Sequence, residues 1–169
     1  MVDLDRRFTG GDDGFVYSRF TNPTVTMFER RLAALEGTEA CIGTSSGMSA
    51  ILLLGMALLK AGDHVICSQS VFGSTITLFG REFAKFGVET SFVSQTDVGA
   101  WRGAVRPNTK LLFAESPTNP LTEVCDIRAL AAIARDAGFG SIQRLYEVFR
   151  RELGMSPGAY RKQRQLKGD

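Results

Sequence analysis

The chain has 169 residues, of which 44% are hydrophobic and 22% charged, and its formal net charge is +2. This composition excludes a disordered tail and is typical of a globular protein. The most apolar run, residues 51–59, contains Gly55 and ends at Lys60, so it is shorter than the roughly 18 residues that a membrane span requires. The N-terminus is acidic where a secretory signal would be basic and then apolar. We therefore expect neither export nor membrane insertion.

The charges are unevenly distributed along the chain. Residues 1–138 contain 13 basic and 15 acidic side chains, whereas residues 139–169 contain 7 basic and 3 acidic ones. A basic C-terminal segment of this kind is found in proteins that bind nucleic acids and also on ordinary solvated surfaces. The charge pattern alone leaves both interpretations open.

The cysteine and histidine content indicates the compartment. Three cysteines without a CxxC spacing argue against a disulfide framework and a zinc site, and His64 is the single histidine. We expect no metal site and a reducing, cytoplasmic location.

The spacing of apolar residues predicts alternating helices and strands after a polar arm at residues 1–14. Helices are predicted over residues 24–36, 48–60, 74–86, 97–105 and 126–137. Strands are predicted at residues 64–68, 88–93 and 110–115, and a strand end at 40–42. His64 is expected to begin a strand and to have no catalytic role. Apolar strands separated by helices indicate an α/β fold with a mainly parallel sheet.

The GTSSG run at residues 43–47 allows two interpretations. It matches the G-x-S-x-G nucleophile elbow with Ser45 as the nucleophile, but the one candidate base, His64, has its nearest acid, Asp63, beside it in sequence, so no triad can be assembled. The run also precedes a helix, whose N-terminal N–H groups suit a phosphate. It lacks the spacing and the lysine of a Walker loop. The sequence therefore favours a phosphate-binding turn.

Four segments resemble, in order, the N-terminal half of the Cys/Met-metabolism enzymes that depend on pyridoxal phosphate (PLP). They are YSRFTNPT at 17–24, TSSGMSA at 44–50, SVFGST at 70–75 and ESPTNP at 115–120. The similarity is greatest to the O-succinylhomoserine sulfhydrylases, which are relatives of the cystathionine γ-synthases. The resemblance implies a truncated type I (aspartate aminotransferase-like) PLP-transferase domain over residues 15–137, with an incomplete parallel sheet. It also implies a trans-sulfuration reaction of methionine biosynthesis and PLP as cofactor.

The resemblance assigns four residues to the cofactor phosphate. Gly47 and Met48 would donate backbone N–H groups to it. Tyr17 and Arg19 would reach the phosphate bound by a neighbouring subunit, where an arginine offers a fork of donors. The expected partner is therefore a second copy of this chain or a full-length sulfhydrylase subunit.

The resemblance assigns two further residues to the cofactor ring. Phe72 would stack on the pyridine ring, where many relatives have tyrosine, and Asn119 would hydrogen-bond the ring hydroxyl. The family also needs an aspartate on the next strand and a Schiff-base lysine in an S-x-T-K context. The chain has five lysines, and none of them has that context. They are Lys60, Lys85, Lys110, Lys162 and Lys167. We expect no catalytic residue, no covalent attachment of PLP and no activity of this chain alone.

The basic C-terminal segment has a resemblance of its own. Residues 138–164, GFGSIQRLYEVFRRELGMSPGAYRKQR, are similar to the last helix-turn-helix of the AraC-type DNA-binding domain. The resemblance implies an all-α helix-turn-helix remnant over residues 138–169. The preceding segment, residues 130–137, would be the first helix of that motif. Gln143 and Arg144 would face base edges, whereas Arg150 and Arg151 would either contact phosphates or form solvated surface. A DNA-binding transcriptional regulator is thus the alternative function, and a non-functional chimera fused within residues 129–138 is the second alternative.

Overall fold

The computed structural model describes residues 17–18 and 22–138. The chain divides into two compact units, residues 1–50 and residues 51–169. Several predictions lie outside the described residues, among them the N-terminal arm, the helix-turn-helix remnant after residue 138 and the positions Arg19, Gln143, Arg144, Arg150 and Arg151.

The first unit contains helix α1, Pro23–Glu36. Asn22 caps its N-terminus, because the Asn22 side-chain oxygen accepts hydrogen bonds from the N–H groups of Thr24 and Val25 at 2.9 and 3.2 Å. Gly37 ends the helix in the left-handed conformation, with φ at 66°. The predicted helix is confirmed.

The apolar stripe of α1 lies mostly at the surface. Of its residues, Ala33 is buried, whereas three large side chains are more than half exposed, namely Met27, Phe28 and Leu35. The helical spacing predicted the helix but not whether this stripe is covered.

The strand end predicted at residues 40–42 is wrong, since residues 40–44 have no regular structure. The apolar run is only three residues long, and its largest member, Ile42, is 72% exposed. The segment is held by a side chain instead of a strand ladder, because the Gly43 N–H donates to Glu29 Oε1 at 2.7 Å.

Helix α2, Gly47–Leu58, begins in the first unit and continues into the second. Within the second unit its one buried residue is Gly55, where a methyl group would overlap the Phe83 ring. The absence of a side chain at Gly55 therefore permits this close approach. Five large apolar side chains of α2 remain exposed, namely Leu52, Leu53, Leu54, Met56 and Leu58.

The second unit is built on a three-stranded parallel sheet of order β2-β1-β3. Its strands are β1 (His64–Ser68), β2 (Glu89–Val93) and β3 (Thr109–Phe113). All five residues of β1 are buried because β1 has a strand on each side and helices over both faces. The predicted α/β fold with parallel strands is confirmed.

Strand β3 is less buried than β1. Only Thr109 is buried, and the remaining four residues are half-buried. Among the described residues β3 pairs with β1 alone, so one edge of β3 has no strand partner there.

One face of the sheet is covered by the segment between β1 and β2. The single helix predicted over 74–86 is wrong in detail, because the segment consists of helix α3 (Gly73–Thr77), a π-helical turn (Leu78–Glu82) and a 3₁₀ turn (Phe83–Phe86). Phe79 lies in the π-helical turn, and its carbonyl accepts a hydrogen bond from the Thr90 hydroxyl at 3.1 Å. Phe79 and Phe83 stack at 5.7 Å and pack with Val65 and Cys67 of β1.

The other face is covered by helices α4 (Val98–Gly103) and α5 (Ile127–Asp136). Aspartates cap both helices, with Asp97 accepting from Ala100 N and Asp126 accepting from Ala129 N. Their buried side chains Trp101, Leu130 and Ile133 pack around Ile66 of β1, together with Cys125 from the segment before α5. Across residues 17–18 and 22–138 no helix combines the length and apolar character needed to cross a membrane.

Candidate functional site

The carboxyl ends of the three parallel strands share one edge of the sheet, which we call the carboxyl edge. The segments that follow the strands there are residues 69–72 after β1, 94–97 after β2 and 114–126 after β3. In open α/β sheets this edge is where ligands bind. Two residues predicted to contact the cofactor, Phe72 and Asn119, lie in these segments.

Phe72 is an exposed aromatic residue at this edge, with 59% of its surface accessible. It stands at the N-cap position of α3, and its carbonyl accepts hydrogen bonds from the N–H groups of Thr75 and Ile76 at 2.8 and 3.2 Å. Its own N–H donates to Glu115 Oε2 at 3.1 Å. The main chain of Phe72 is therefore held on both sides while its ring faces solvent.

Asn119 lies in a turn that closes on itself. Thr118 is buried, its N–H donates to the Glu123 carbonyl at 3.0 Å, and its hydroxyl accepts from the Glu123 N–H at 3.0 Å. The Thr122 N–H donates to the Thr118 carbonyl at 2.9 Å. These bonds stabilise the turn, and the exposed Asn119 side chain is presented from it.

Gln95 joins the segments after β2 and β3, and the sequence analysis did not identify it. The side chain is 1% exposed, and Nε2 donates to the carbonyls of Glu115 at 2.7 Å and of Glu123 at 3.1 Å. Its Oε1 atom is buried and has no hydrogen-bond partner within the described part of the chain. A lone glutamine in a polar loop belongs to no motif, so only the tertiary contact identifies it.

Cys67, the fourth residue of β1, is not a candidate nucleophile. Burial, followed by the negative charge of Glu115, raises the pKa of the Cys67 thiol to about 12. The thiol therefore stays protonated near neutral pH and serves the core.

Three of the predicted phosphate contacts, Gly47, Met48 and Tyr17, lie in the described part of the first unit. Ser46 caps α2, since its Oγ accepts from the Ser49 N–H at 3.1 Å, and this helix start opens with Gly47 and Met48. A methyl group at Gly47 would meet nothing within 4 Å. Tyr17 is 56% exposed.

The opposite, amino edge of the sheet has a closed polar cluster around His64. The His64 ring is fully buried, with Nδ1 at 2.8 Å from Thr109 Oγ1 and Nε2 at 2.9 Å from Ser91 Oγ. Arg106 donates its backbone N–H to Thr109 Oγ1 at 2.8 Å and Nη2 to Ser91 Oγ at 3.2 Å, and its Nη1 pairs with Glu89 at 2.6 Å. Burial first, then Arg106, lowers the pKa of His64, against the opposing charge of Glu89. As predicted, His64 begins its strand.

The described lysines lie towards the amino edge. Lys60 precedes β1, Lys85 precedes β2 and pairs with Glu82, and Lys110 is the second residue of β3. Because the strands are parallel, the carboxyl edge lies a strand length away from this end. The topology thus separates these three amines from Phe72 and Asn119.

Two family models match the chain. The model described as "Cys/Met metabolism PLP-dependent enzyme" matches residues 1–143, and that of bacterial regulatory helix-turn-helix proteins of the AraC family matches residues 128–162. The two matches overlap over α5 and the residues that follow it. The sequence resemblance to both families is therefore confirmed.

Individual proteins also match the larger part of the chain. O-succinylhomoserine sulfhydrylase of Pseudomonas aeruginosa is 56% identical over 137 residues, which cover 81% of this chain and 34% of that protein. L-methionine gamma-lyase of Treponema denticola is 38% identical over 129 residues, covering 76% and 32%. The crystal structure of metB from Corynebacterium glutamicum has a TM-score of 0.70 at 37% identity, covering 73% of this chain and 32% of that one.

These relatives establish the fold class and the family. The chain spans about a third of the length of the curated relatives named above. Its parallel α/β sheet is the fold that it shares with metB, and the matched segment includes the turn before α2 and the loops at the carboxyl edge. The chain belongs to the Cys/Met-metabolism family of PLP-dependent enzymes.

Proposed function

We propose that this chain binds PLP as part of a sulfhydrylase-type enzyme of trans-sulfuration. Gly47 and Met48 would hold the phosphate, Phe72 would stack on the pyridine ring, and Asn119 would hydrogen-bond the ring hydroxyl. When bound, PLP supplies an electron sink for bonds at the substrate α-carbon. The contribution of these residues is to bind and orient the cofactor.

The residues present fit such a cofactor. The turn before α2 offers hydroxyls and helix N-terminal N–H groups, which are the donors that a phosphate accepts. Gly47 leaves the space at the start of that helix open. At the carboxyl edge an aromatic face and an amide are both accessible, and these groups suit a flat heteroaromatic ring with a hydroxyl.

The observation that carries the proposal is the exposed ring of Phe72. A large aromatic side chain that is 59% accessible contributes little to the core, yet its main chain is fixed by hydrogen bonds on both sides.

Equilibrium dialysis with PLP and with pyridoxal, which lacks the phosphate, tests the proposal. We expect PLP to bind one site per chain and pyridoxal to bind at least tenfold more weakly, because the phosphate turn is then unused. Equal affinities would contradict the phosphate assignment.

We further propose that these 169 residues bind PLP without a covalent bond and do not catalyse sulfhydrylation by themselves. The support is the position of Lys60, Lys85 and Lys110 towards the amino edge. Borohydride reduction of the PLP complex followed by peptide mass spectrometry tests this. A stoichiometric adduct on one lysine would contradict it, whereas scattered substoichiometric adducts are the expected background.

DNA binding is the second candidate function, and the match of residues 128–162 to the AraC family favours it. We propose Gln143 and Arg144 as base-contacting residues and Arg150 and Arg151 as phosphate contacts. Affinity for duplex DNA should then fall steeply with salt through counterion release. The triple change of the three arginines to alanine should abolish most of this affinity, and unchanged binding would remove the proposal.

A fusion of two genes within residues 129–138 would account for both resemblances. The support is the overlap of the two family matches over residues 128–143. We accordingly propose that residues 15–137 and 138–169 form two domains of a cytoplasmic protein. Sequencing across this segment in the source DNA tests the fusion, and an uninterrupted sulfhydrylase reading frame there would exclude it.

Tyr17 and Arg19 provide a test for a partner subunit. If they reach the phosphate bound by a neighbouring subunit, this chain should co-purify with a full-length sulfhydrylase or with itself. Co-expression with differently tagged chains measures this, and the double change Tyr17→Phe and Arg19→Ala should weaken PLP binding in the partner. If the chain co-purifies with neither partner, the proposal is contradicted.

A further inference from the structure

We propose that Glu115 is a positioning residue for the cofactor-facing aromatic ring, acting by fixing the main chain of Phe72. The inference rests on the proposed function in that Phe72 is taken to meet PLP. Glu115 opens the ESPTNP segment but received no role in the sequence analysis. The structure assigns it one through a contact that joins residues 43 positions apart.

The carboxylate of Glu115 reaches across the carboxyl edge from the end of β3 to the segment after β1. Its Oε2 atom accepts the Phe72 N–H at 3.1 Å. A charged acceptor on a main-chain donor makes a stronger bond than a neutral one. The bond lies directly before α3, so it sets where this short helix begins and where the Phe72 ring leaves the main chain.

Glu115 is itself held in place by a buried group. Its carbonyl accepts a hydrogen bond from Gln95 Nε2 at 2.7 Å, and the same Nε2 also donates to the Glu123 carbonyl at 3.1 Å. Gln95 is 1% exposed and comes from the segment after β2. One chain of hydrogen bonds therefore links the segments after all three strands and ends at Phe72.

Phe72 needs this support because its ring lacks core packing. With 59% of the residue exposed, the ring can be directed only through its main chain and its side-chain torsions. Loss of the Glu115 carboxylate would leave the Phe72 N–H to water and would free the segment before α3. The ring would then be presented in several orientations, and stacking would lose the advantage of preorganisation.

The test compares Glu115→Ala and Glu115→Gln with the matched controls Glu123→Ala and Glu123→Gln. Glu123 lies in the same loop, and only its main chain takes part in the hydrogen bonds described above. Residue-resolved hydrogen exchange of the whole chain without PLP is the first readout. We expect the Phe72 amide to exchange about fivefold faster in Glu115→Ala, less so in Glu115→Gln, which keeps an acceptor oxygen, and as in the parent chain in both controls. Unchanged exchange of Phe72 in Glu115→Ala would overturn the proposal.

PLP affinity, measured by dialysis, is the second readout, and a double-mutant cycle with Phe72→Ala makes it specific. Glu115→Ala should weaken PLP binding about fivefold in the parent chain and less than twofold when Phe72 is already alanine. An equal loss in both backgrounds would show that Glu115 does not act through Phe72. If the parent chain fails to bind PLP, the proposed function fails, while the exchange readout still decides whether Glu115 fixes Phe72.

Discussion

The two edges of the parallel sheet use their side chains in opposite ways. At the amino edge His64, Ser91 and Thr109 bond to one another and to Arg106, and the imidazole is fully buried. At the carboxyl edge Phe72 and Asn119 are exposed on main chains that are held by hydrogen bonds. The first arrangement uses its polar groups for stability, and the second leaves side chains available to a ligand.

A buried titratable group with a shifted pKa is not necessarily a functional group. A perturbed pKa in a polar cluster often indicates an active site. His64 has such a perturbation, yet both its ring nitrogens are occupied and it lies at the edge opposite to the loops that bind ligands in this kind of sheet. The position in the topology, more than the pKa, supports the proposed ligand site at the carboxyl edge.

The largest expected effect is the loss of stability when the amino-edge cluster is opened. His64→Ala removes two hydrogen bonds, leaves the Ser91 and Thr109 hydroxyls bonded only to Arg106 within the cluster and creates a cavity. We therefore expect the free energy of unfolding to fall by about 3 kcal/mol. Urea denaturation of the full chain measures this. PLP affinity, measured where the variant is still folded, should change less than twofold. A large selective loss of PLP affinity with unchanged stability would reverse the roles of the two edges.

At the carboxyl edge we expect a smaller effect of the opposite kind, in which PLP affinity falls and stability is nearly unchanged. Phe72→Ala removes the proposed stacking surface, and we expect PLP affinity to fall about tenfold, which corresponds to about 1.4 kcal/mol. Because the ring is exposed, the free energy of unfolding should change by less than about 0.5 kcal/mol. Phe72→Tyr, which keeps an aromatic ring, serves as the control and should retain affinity. Loss of stability with full PLP affinity would contradict the assignment.

The third prediction concerns pH. Burial and Arg106 lower the folded-state pKa of His64 below its ordinary value of 6.5, so the unfolded chain binds a proton that the folded chain does not between these two values. Stability from this group is complete above pH 6.5 and decreases as the pH falls towards the folded-state pKa. Urea titrations at several pH values should show a steeper loss for the parent chain than for His64→Gln. Parallel curves would exclude His64 as the source.

The smallest expected effect comes from the ion pair at the rim of the amino edge. Glu89 and Arg106 approach to 2.6 Å, but both side chains are substantially exposed, and such pairs contribute little. Glu89→Gln should lower the free energy of unfolding by about 0.5 kcal/mol or less. Loss of Glu89 should also depress the pKa of His64 further, since its charge opposes that shift. Direct titration of the His64 ring by NMR would show this as a movement to lower pH.

Local patterns predicted most of the elements because their causes are local. Asn22 before Pro23 and Gly37 after the last apolar residue specify both ends of α1, and the three apolar residues 65–67 specify β1. The strand end at 40–42 was wrong, because a strand requires a partner from elsewhere in the chain. The helix over 74–86 was predicted as continuous, because the sequence pattern does not indicate the contact between Thr90 and the Phe79 carbonyl.

The amino-acid sequence by itself determined the family, the turn before α2 and the identity of the cofactor-facing candidates, because motif spacing and caps act over a few residues. The tertiary structure decided that Phe72 is exposed, that Glu115 and Gln95 support it, and that His64 lies in a closed cluster. These contacts join residues 20 to 45 positions apart. Such partners meet only when parallel strands are aligned side by side, since every connection between parallel strands crosses from one edge of the sheet to the other.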